Sequence, residues 1–296
     1  MAIKALNETG RTGYRIQKVT VRRRTKATSV KPPLPLGEGW GEGDQQTPSQ
    51  TNWQETTNDD TLAEELPIAL TYNNQTHAIM MVTPTDLEDF ALGFTLTEGI
   101  IQHPKELYDL NITDHGDQGI ELNLHIHGAR QAALKQQHRN MAGPTGCGLC
   151  GKASLDQVMR PLPKVTPRPQ PSADAIQTAL NQLKQYQPLQ QMTGAIHAAA
   201  WCDEQGKIQL VREDVGRHNA LDKLIGGLHS QGVNTDAGFL LLSSRASFEL
   251  IAKAAQCDLG ALVTVSGASS MAVQQAKHYG VRLTGFARNG RQVAYC

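Results

Sequence analysis

Residues 238–288 read GFLLLSSRASFELIAKAAQCDLGALVTVSGASSMAVQQAKHYGVRLTGFAR, and three short apolar runs in this stretch alternate with two amphipathic ones. FLLLS, ALVTVS and VRLTGFA have the length and side chains of buried strands, whereas ASFELIAKAAQ and SMAVQQAKHY repeat their apolar residues at helical spacing. Alternation of this kind predicts an α/β layered domain, since each helix must bury its apolar face against a sheet. The pattern continues toward the N-terminus. Leu221, Leu224, Ile225 and Leu228 predict a helix, and GAIHAAAW and KIQLVRE predict two strands around a turn at Asp203 to Gly206. Ser172 is placed to cap a helix carrying Ile176, Leu180 and Leu183.

Upstream of the α/β region, Pro161 to Pro171 (PLPKVTPRPQP) reads as a stiff, extended linker. PIALTY and THAIMMV flank Asn73, Asn74 and Gln75 and predict a hairpin. Thr83-Pro84 with Asp86 in the first turn predicts a helix start, and Leu87, Phe90, Ala91 and Phe94 carry its apolar face as far as Gly99. Glu121 to His127 alternates like a half-buried strand, with a polar helix expected from Ala129 and a short helical run, SLDQVM, before Pro161. The first 60 residues are rich in Gly, Pro, Thr, Gln and Asn and show no period, so they read as disordered. The expected organisation is a disordered extension over 1–62, an α+β region over 63–160, a linker over 161–171 and an α/β domain over 172–296.

With 28 basic and 28 acidic residues, the 296-residue chain has no net field to draw nucleic acid; VRRRTK, Val21 to Lys26, reads as a solvated cluster. No apolar run approaches the length of a membrane span, and Arg22, Arg23 and Arg24 lack the apolar segment of an export signal. Five cysteines, three of them scattered singly at 202, 257 and 296, argue against a disulfide framework and for a reducing compartment, so the cytoplasm is expected.

The remaining pair, Cys147 and Cys150, stands among Gly146, Gly148 and Gly151. Such a dithiol loop can present either sulfur, and the helical run that follows it would favour the thiolate. GCGLCG formally fits the dinucleotide fingerprint, but no strand precedes it. Zinc needs a second ligand pair that is absent, so no metal is expected. A nucleobase deaminase would need an upstream H-x-E, and no histidine before the pair has Glu two residues on. A thioredoxin-like oxidoreductase stays open on local chemistry, as does a pair of ordinary buried thiols. Ligands of α/β domains gather at the carboxyl ends of strands. Here those ends are VREDVGRHN, LSSRAS, TVSGASS and GFARNGR, and Arg212, Arg217, Arg245, Arg288 and Arg291 would suit a phosphorylated ligand unless they pair with nearby carboxylates.

Taken together, GCGLCGKASLDQV, TGAIHAAAWC, REDVGRHNALDKLIG, SSRASFELIAKAA, TVSGASSMAV and GFARNGRQVAY, with TPTDLEDFALGFTLTEGII before them, resemble the FdhD family of formate dehydrogenase accessory sulfurtransferases. The resemblance runs from about Glu64 to Tyr295 and implies a layered, cytidine-deaminase-like α/β domain with a smaller α+β domain before it. It implies a sulfur carrier that takes persulfide sulfur from a cysteine desulfurase and passes it to bis-molybdopterin guanine dinucleotide before that cofactor enters formate dehydrogenase. On this resemblance Cys147 carries the persulfide and Cys150 assists it, as a second acceptor or a resolving thiol. Phe286, Ala287, Arg288, Asn289, Gly290 and Arg291 match the family's cofactor-contacting stretch. Arg217, His218 and Arg245, with Glu213, Asp214 and Ser244, are further candidates for the nucleotide or the sulfur path; hydrogen bonding at its helix start is an equal reading for His218. A homodimer is also open. The alternative function is a cofactor-binding chaperone that transfers no sulfur. One departure stands out: where family members often read S-A-P, this chain has Ser266-Gly267-Ala268, so a proline is missing and Gly267 loosens the loop.

Overall fold

The computed structural model describes residues 16–26, 53–138, 161–288 and 290–296. They fall into two compact units, 16–62 and 63–296.

The smaller unit is a two-stranded sheet of β1 (Ile16–Lys26) and β2 (Trp53–Ala63), with Thr20 Oγ1 donating to Asp59 Oδ1 at 3.2 Å. Both strands lie within the stretch read from sequence as an extension over 1–62, apart from Ala63 at the end of β2. The strands VTVRRRT and TTNDDT carry β-branched residues among charges, and their polar side chains hide them from a reading based on apolar alternation.

In the larger unit, a four-stranded sheet has the order β4-β3-β6-β5, formed by β3 (Leu66–Tyr72), β4 (Gln75–Val82), β5 (Leu107–Asp114) and β6 (Ile120–Ile126). The β3–β4 turn has both Asn73 (φ 46°) and Asn74 (φ 65°) in the left-handed region, as a two-residue hairpin matched to strand twist requires. Asn73 is also tied to β6, exchanging side-chain bonds with the Ile126 amide and carbonyl at 2.9 and 3.1 Å. Helix α1 (Leu87–Thr97) begins just after Asp86, slightly later than its sequence suggests, and α2 (Gly128–His138) follows β6.

The second sheet has six strands in the order β12-β11-β10-β9-β7-β8. These are β7 (His197–Cys202), β8 (Ile208–Asp214), β9 (Phe239–Leu242), β10 (Ala261–Thr264), β11 (Arg282–Arg288) and β12 (Arg291–Ala294). Strands β9, β10 and β11 are mutually parallel, and β7 and β12 run against their neighbours. Strand β8, antiparallel to β7, therefore points the same way as β9 to β11, and four carboxyl ends share one edge with the amino end of β7. Helices α3 (Ala173–Leu183) and α4 (Pro188–Thr193) precede this sheet; α5 (Arg217–Ser230), α6 (Phe248–Gln256) and α7 (Ser270–Tyr279) connect its strands. Ser172 caps α3 as expected, accepting from the Ala175 amide at 3.1 Å.

Alternate side chains of the sheet feed two apolar cores. Ala198, Ala200, Leu241 and Val263 pack with Ile176 and Ala179 of α3, while Trp201, Leu240, Leu242 and Leu262 join the core that includes α1, α5, α6 and the four-stranded sheet. Helices α1 and α5 touch backbone to backbone: a Cβ on Gly93 would fall on the Asp222 carbonyl, and one on Gly226 on the Asp89 carbonyl. The apolar cluster thus runs through both sheets of the larger unit. The 161–171 segment is bonded to this unit. Val165 is buried and its amide donates to Tyr279 at 2.9 Å; Thr166 donates twice to Asp258, at 2.6 and 2.8 Å, and Gln170 reaches Thr284 at 2.6 Å. The prolines keep the segment extended, and these bonds lay it along the sheet's helix layer. Among the described residues no helix is long and apolar enough to cross a membrane.

Candidate functional site

The edge where β8 to β11 end gathers most of the residues singled out in the sequence. Strand β8 delivers Glu213 and Asp214, both buried. Asp214 accepts from the amides of Thr83 (3.0 Å) and Gly216 (2.8 Å) and from Asn219 Nδ2 (2.9 Å), and it pairs with the fully buried Lys223 at 2.8 Å. Lys223 also donates to the Thr83 carbonyl at 2.8 Å. Burial pulls the Lys223 pKa below the ordinary lysine range, with Asp214 opposing it. Glu213 accepts from the Leu189 and Gln190 amides at 3.0 and 2.9 Å at the start of α4; burial raises its pKa against those bonds. The two acids therefore knit the edge of the sheet to the segments before α1 and α4, and both are fully engaged as scaffold.

The five arginines divide. Arg212 is held by Asp89 at 2.6 Å and Asp86 at 3.4 Å, which makes it a structural ion pair. Arg217, Arg245, Arg288 and Arg291 make no ion pair among the described residues. Arg288 and Arg291 face each other as a cross-strand pair of the β11–β12 hairpin, and both are exposed. Like charges directly opposite repel, so the hairpin holds a positive site that an anion would relieve.

His218, at the start of α5, is mostly buried with its Nε2 unbonded and 3.8 Å from Glu249. Burial, helped by the Arg217 and Lys253 charges, lowers its pKa to about 4. The imidazole is thus neutral near pH 7, with one ring nitrogen a hydrogen-bond donor and the other an acceptor. Ser244 donates to the Arg245 carbonyl at 3.0 Å. The loops after β9 and β10 are themselves paired: Ala246 N donates to Gly267 O at 3.0 Å and Ser269 N to Ala246 O at 3.1 Å, extending the parallel ladder past the strand ends.

Strand β11 ends irregularly. Its register with β12 shifts between Gly285 and Arg288, and Phe286 takes φ 54°, the left-handed region that a bulky side chain rarely enters. The Phe286 amide donates to Ser266 O at 2.9 Å, which fixes the turn to the β10–α7 loop. The residue is 40% exposed, and its ring carries the Arg288 guanidinium 6.0 Å from its centroid. Ala287 is buried beside α3, and Gly290 takes φ 70°. Asn289, Cys147 and Cys150 lie outside the described residues.

A cavity of about 590 Å³ opens at the same edge on the α3 side, lined by Leu180, Lys184, Gln187, His197, Ser243 and Val265 among others. Sequence reading missed His197 and Ser243. His197 belongs to this edge because β7 runs antiparallel, a direction that apolar alternation does not encode, whereas Ser243 lies in the LSSRAS strand end already singled out but was not picked as a site residue. Burial, reinforced by Arg217, lowers the His197 pKa. Strand β12 was also missed, since RQVA is short and exposed.

Chemically, this edge offers guanidinium groups with no ion pair among the described residues, two histidines whose pKa values burial lowers, a half-open aromatic ring and paired loops rich in backbone amides, a set suited to a planar anionic ligand. Comparisons with known proteins agree with the sequence blocks. A crystal structure from Desulfotalea psychrophila, described as a formate dehydrogenase accessory protein, superposes with a TM-score of 0.64 at 20% identity over 93% of this chain and 96% of that one, which shows the shared fold. Sulfur carrier protein FdhD of Cupriavidus necator is 49% identical over 236 residues, covering 80% of this chain and 82% of the relative. That of Bordetella petrii is 45% identical over 239 residues, 81% and 86% of the two chains. The model of the FdhD/NarQ family matches residues 63–296, from the end of β2 to the C-terminus, and the chain belongs to that family.

Proposed function

We propose that this protein is a sulfur carrier needed for formate dehydrogenase activity. The observation that carries the reading is the span of the family match, 63–296, which takes in both the dithiol and the arginine-bearing edge of the sheet. Relatives at 45% to 49% identity are named for sulfur carriage. In this reading the Cys147 thiolate attacks the outer sulfur of a persulfide on a cysteine desulfurase. The S–S bond there breaks, the desulfurase cysteine leaves as thiolate, and Cys147 holds the persulfide; no electrons are exchanged with any third species. Attack by the Cys150 thiolate on the inner sulfur of Cys147 then expels sulfide and leaves a Cys147–Cys150 disulfide, which a cellular thiol reduces before the next cycle. The sulfide acceptor would be the molybdenum of bis-molybdopterin guanine dinucleotide, bound as substrate before it enters formate dehydrogenase, where the sulfide would replace an oxygen ligand that leaves, protonated, as water.

The edge of the six-stranded sheet is the proposed seat of that substrate. Arg288 and Arg291, with Arg217 at the start of α5 and Arg245 on the loop after β9, would receive phosphate oxygens. Phe286 offers an aromatic surface for a base, and His218 is a neutral hydrogen-bonding group at the same edge. We further infer a cytidine-deaminase-like layering for the six-stranded sheet and its helices.

Complementation separates this reading from the alternative of a chaperone that binds the cofactor and transfers no sulfur. In cells lacking their own copy, the native chain restores formate dehydrogenase activity and Cys147→Ala does not. Full restoration by Cys147→Ala would overturn sulfur carriage and favour the chaperone.

A further inference from the structure

Phe286 is the one residue of β11 whose backbone is in an unfavourable conformation, and its ring reaches across to the next loop. A bulky residue at φ 54° is strained, and the surroundings must hold it in place. Two contacts hold it. The Phe286 amide donates to Ser266 O at 2.9 Å, and the far edge of the ring rests on Gly267. A Cβ at position 267 would meet the ring at 2.7 Å from Cζ, 3.2 Å from Cε2 and 3.3 Å from Cε1, closer than carbon atoms pack. The ring therefore occupies space that only glycine leaves. Gly267 is also fixed from the other side, since its carbonyl accepts from Ala246 N at 3.0 Å. The glycine is not there for its own backbone freedom: among the glycines with positive φ, 267 is absent.

We propose that Gly267 is a positioning residue for ligand binding: by lacking a side chain it lets the Phe286 ring lie on the β10–α7 loop, and so sets where the ring meets the base of a guanine nucleotide. This rests on the reading above that the 286–291 turn receives such a nucleotide. The geometry makes the idea separable from folding. The atoms that a new methyl group would strike are the outer edge of the side chain of a residue that is 40% exposed, so the ring swings away and the backbone stays. Gly93 is the contrast, because there the obstructing atoms are backbone.

Isothermal titration with guanosine diphosphate as probe tests the proposal on the full chain, its Gly267→Ala and Phe286→Leu variants, and the double variant. Gly267→Ala should weaken binding about tenfold, the scale of one base–aromatic contact, with an unchanged unfolding midpoint. Ring-labelled phenylalanine should show the Phe286 signal displaced in Gly267→Ala, which is readable because the chain has 5 phenylalanines. In the Phe286→Leu background, Gly267→Ala should cause no further loss, since the ring through which it acts is gone. Native-like affinity of Gly267→Ala beside a weakened Phe286→Leu would overturn the positioning role and leave the site reading standing. Equal losses in both backgrounds, or a lowered unfolding midpoint for Gly267→Ala, would equally overturn it. Failure of the native chain to bind guanosine diphosphate would remove the site reading, and this inference with it.

Discussion

His218 is a buried, neutral imidazole, and that makes it a source of acid sensitivity. Its folded-state pKa of about 4 lies below its ordinary value of 6.5, so the folded protein resists taking up a proton that the unfolded chain accepts. The stability it contributes is present above pH 6.5 and is lost as pH falls through 4, a change on the order of 3 kcal/mol. Urea denaturation should therefore show declining stability from pH 6.5 to 4, and His218→Gln should flatten much of that decline; an unchanged slope would refute the assignment. Lys253 is the opposite case. Burial works against its ammonium, but Asp222 at 2.9 Å and Glu98 at 2.9 Å push its pKa above the ordinary lysine range. Lys253→Met would strand the buried Asp222 carboxylate and cost about 3–5 kcal/mol, read as a lower denaturation midpoint. Adding Asp222→Leu should recover most of it, because an apolar pair needs no counter-ion.

At the scale of elements, the α1–α5 crossing and the β11–β12 hairpin carry the main consequences. Gly93 and Gly226 let the two helices meet carbonyl to Cα, so Gly93→Ala should destabilise by at least about 3 kcal/mol in denaturant titration, since neither backbone can yield. The hairpin trades stability for charge. Arg291→Glu would replace repulsion with attraction opposite Arg288 and stabilise the hairpin by about 0.2–1 kcal/mol, while weakening guanosine diphosphate binding at least about tenfold. A variant that is both more stable and equally tight would contradict the role given to this pair. The main strands and helices were legible from local signals: the Asn73-Asn74 turn, the helical spacing of the Leu87 to Phe94 stripe, and the short apolar runs of FLLL, ALVT and RLTGFA set between amphipathic segments. The parts that were not legible depend on partners distant in sequence. Arg212 looked like a ligand group until Asp89, 123 residues away, was found beside it, and nothing in GFARNG announces that Phe286 has a left-handed backbone.

Across the whole molecule, the apolar cluster running from the four-stranded sheet through α1 and α5 to the six-stranded sheet makes residues 63–296 one compact unit, with the 161–171 segment bonded along it. Denaturation of 63–296 should accordingly be a single transition, coincident by fluorescence and circular dichroism. That unit carries the proposed substrate edge. The most direct test of the account is mass spectrometry of the full chain after incubation with a cysteine desulfurase and cysteine. The account predicts one added sulfur atom on Cys147, retained in Cys150→Ala and absent in Cys147→Ala; a native chain whose Cys147 stays unmodified under conditions that load the desulfurase would contradict it.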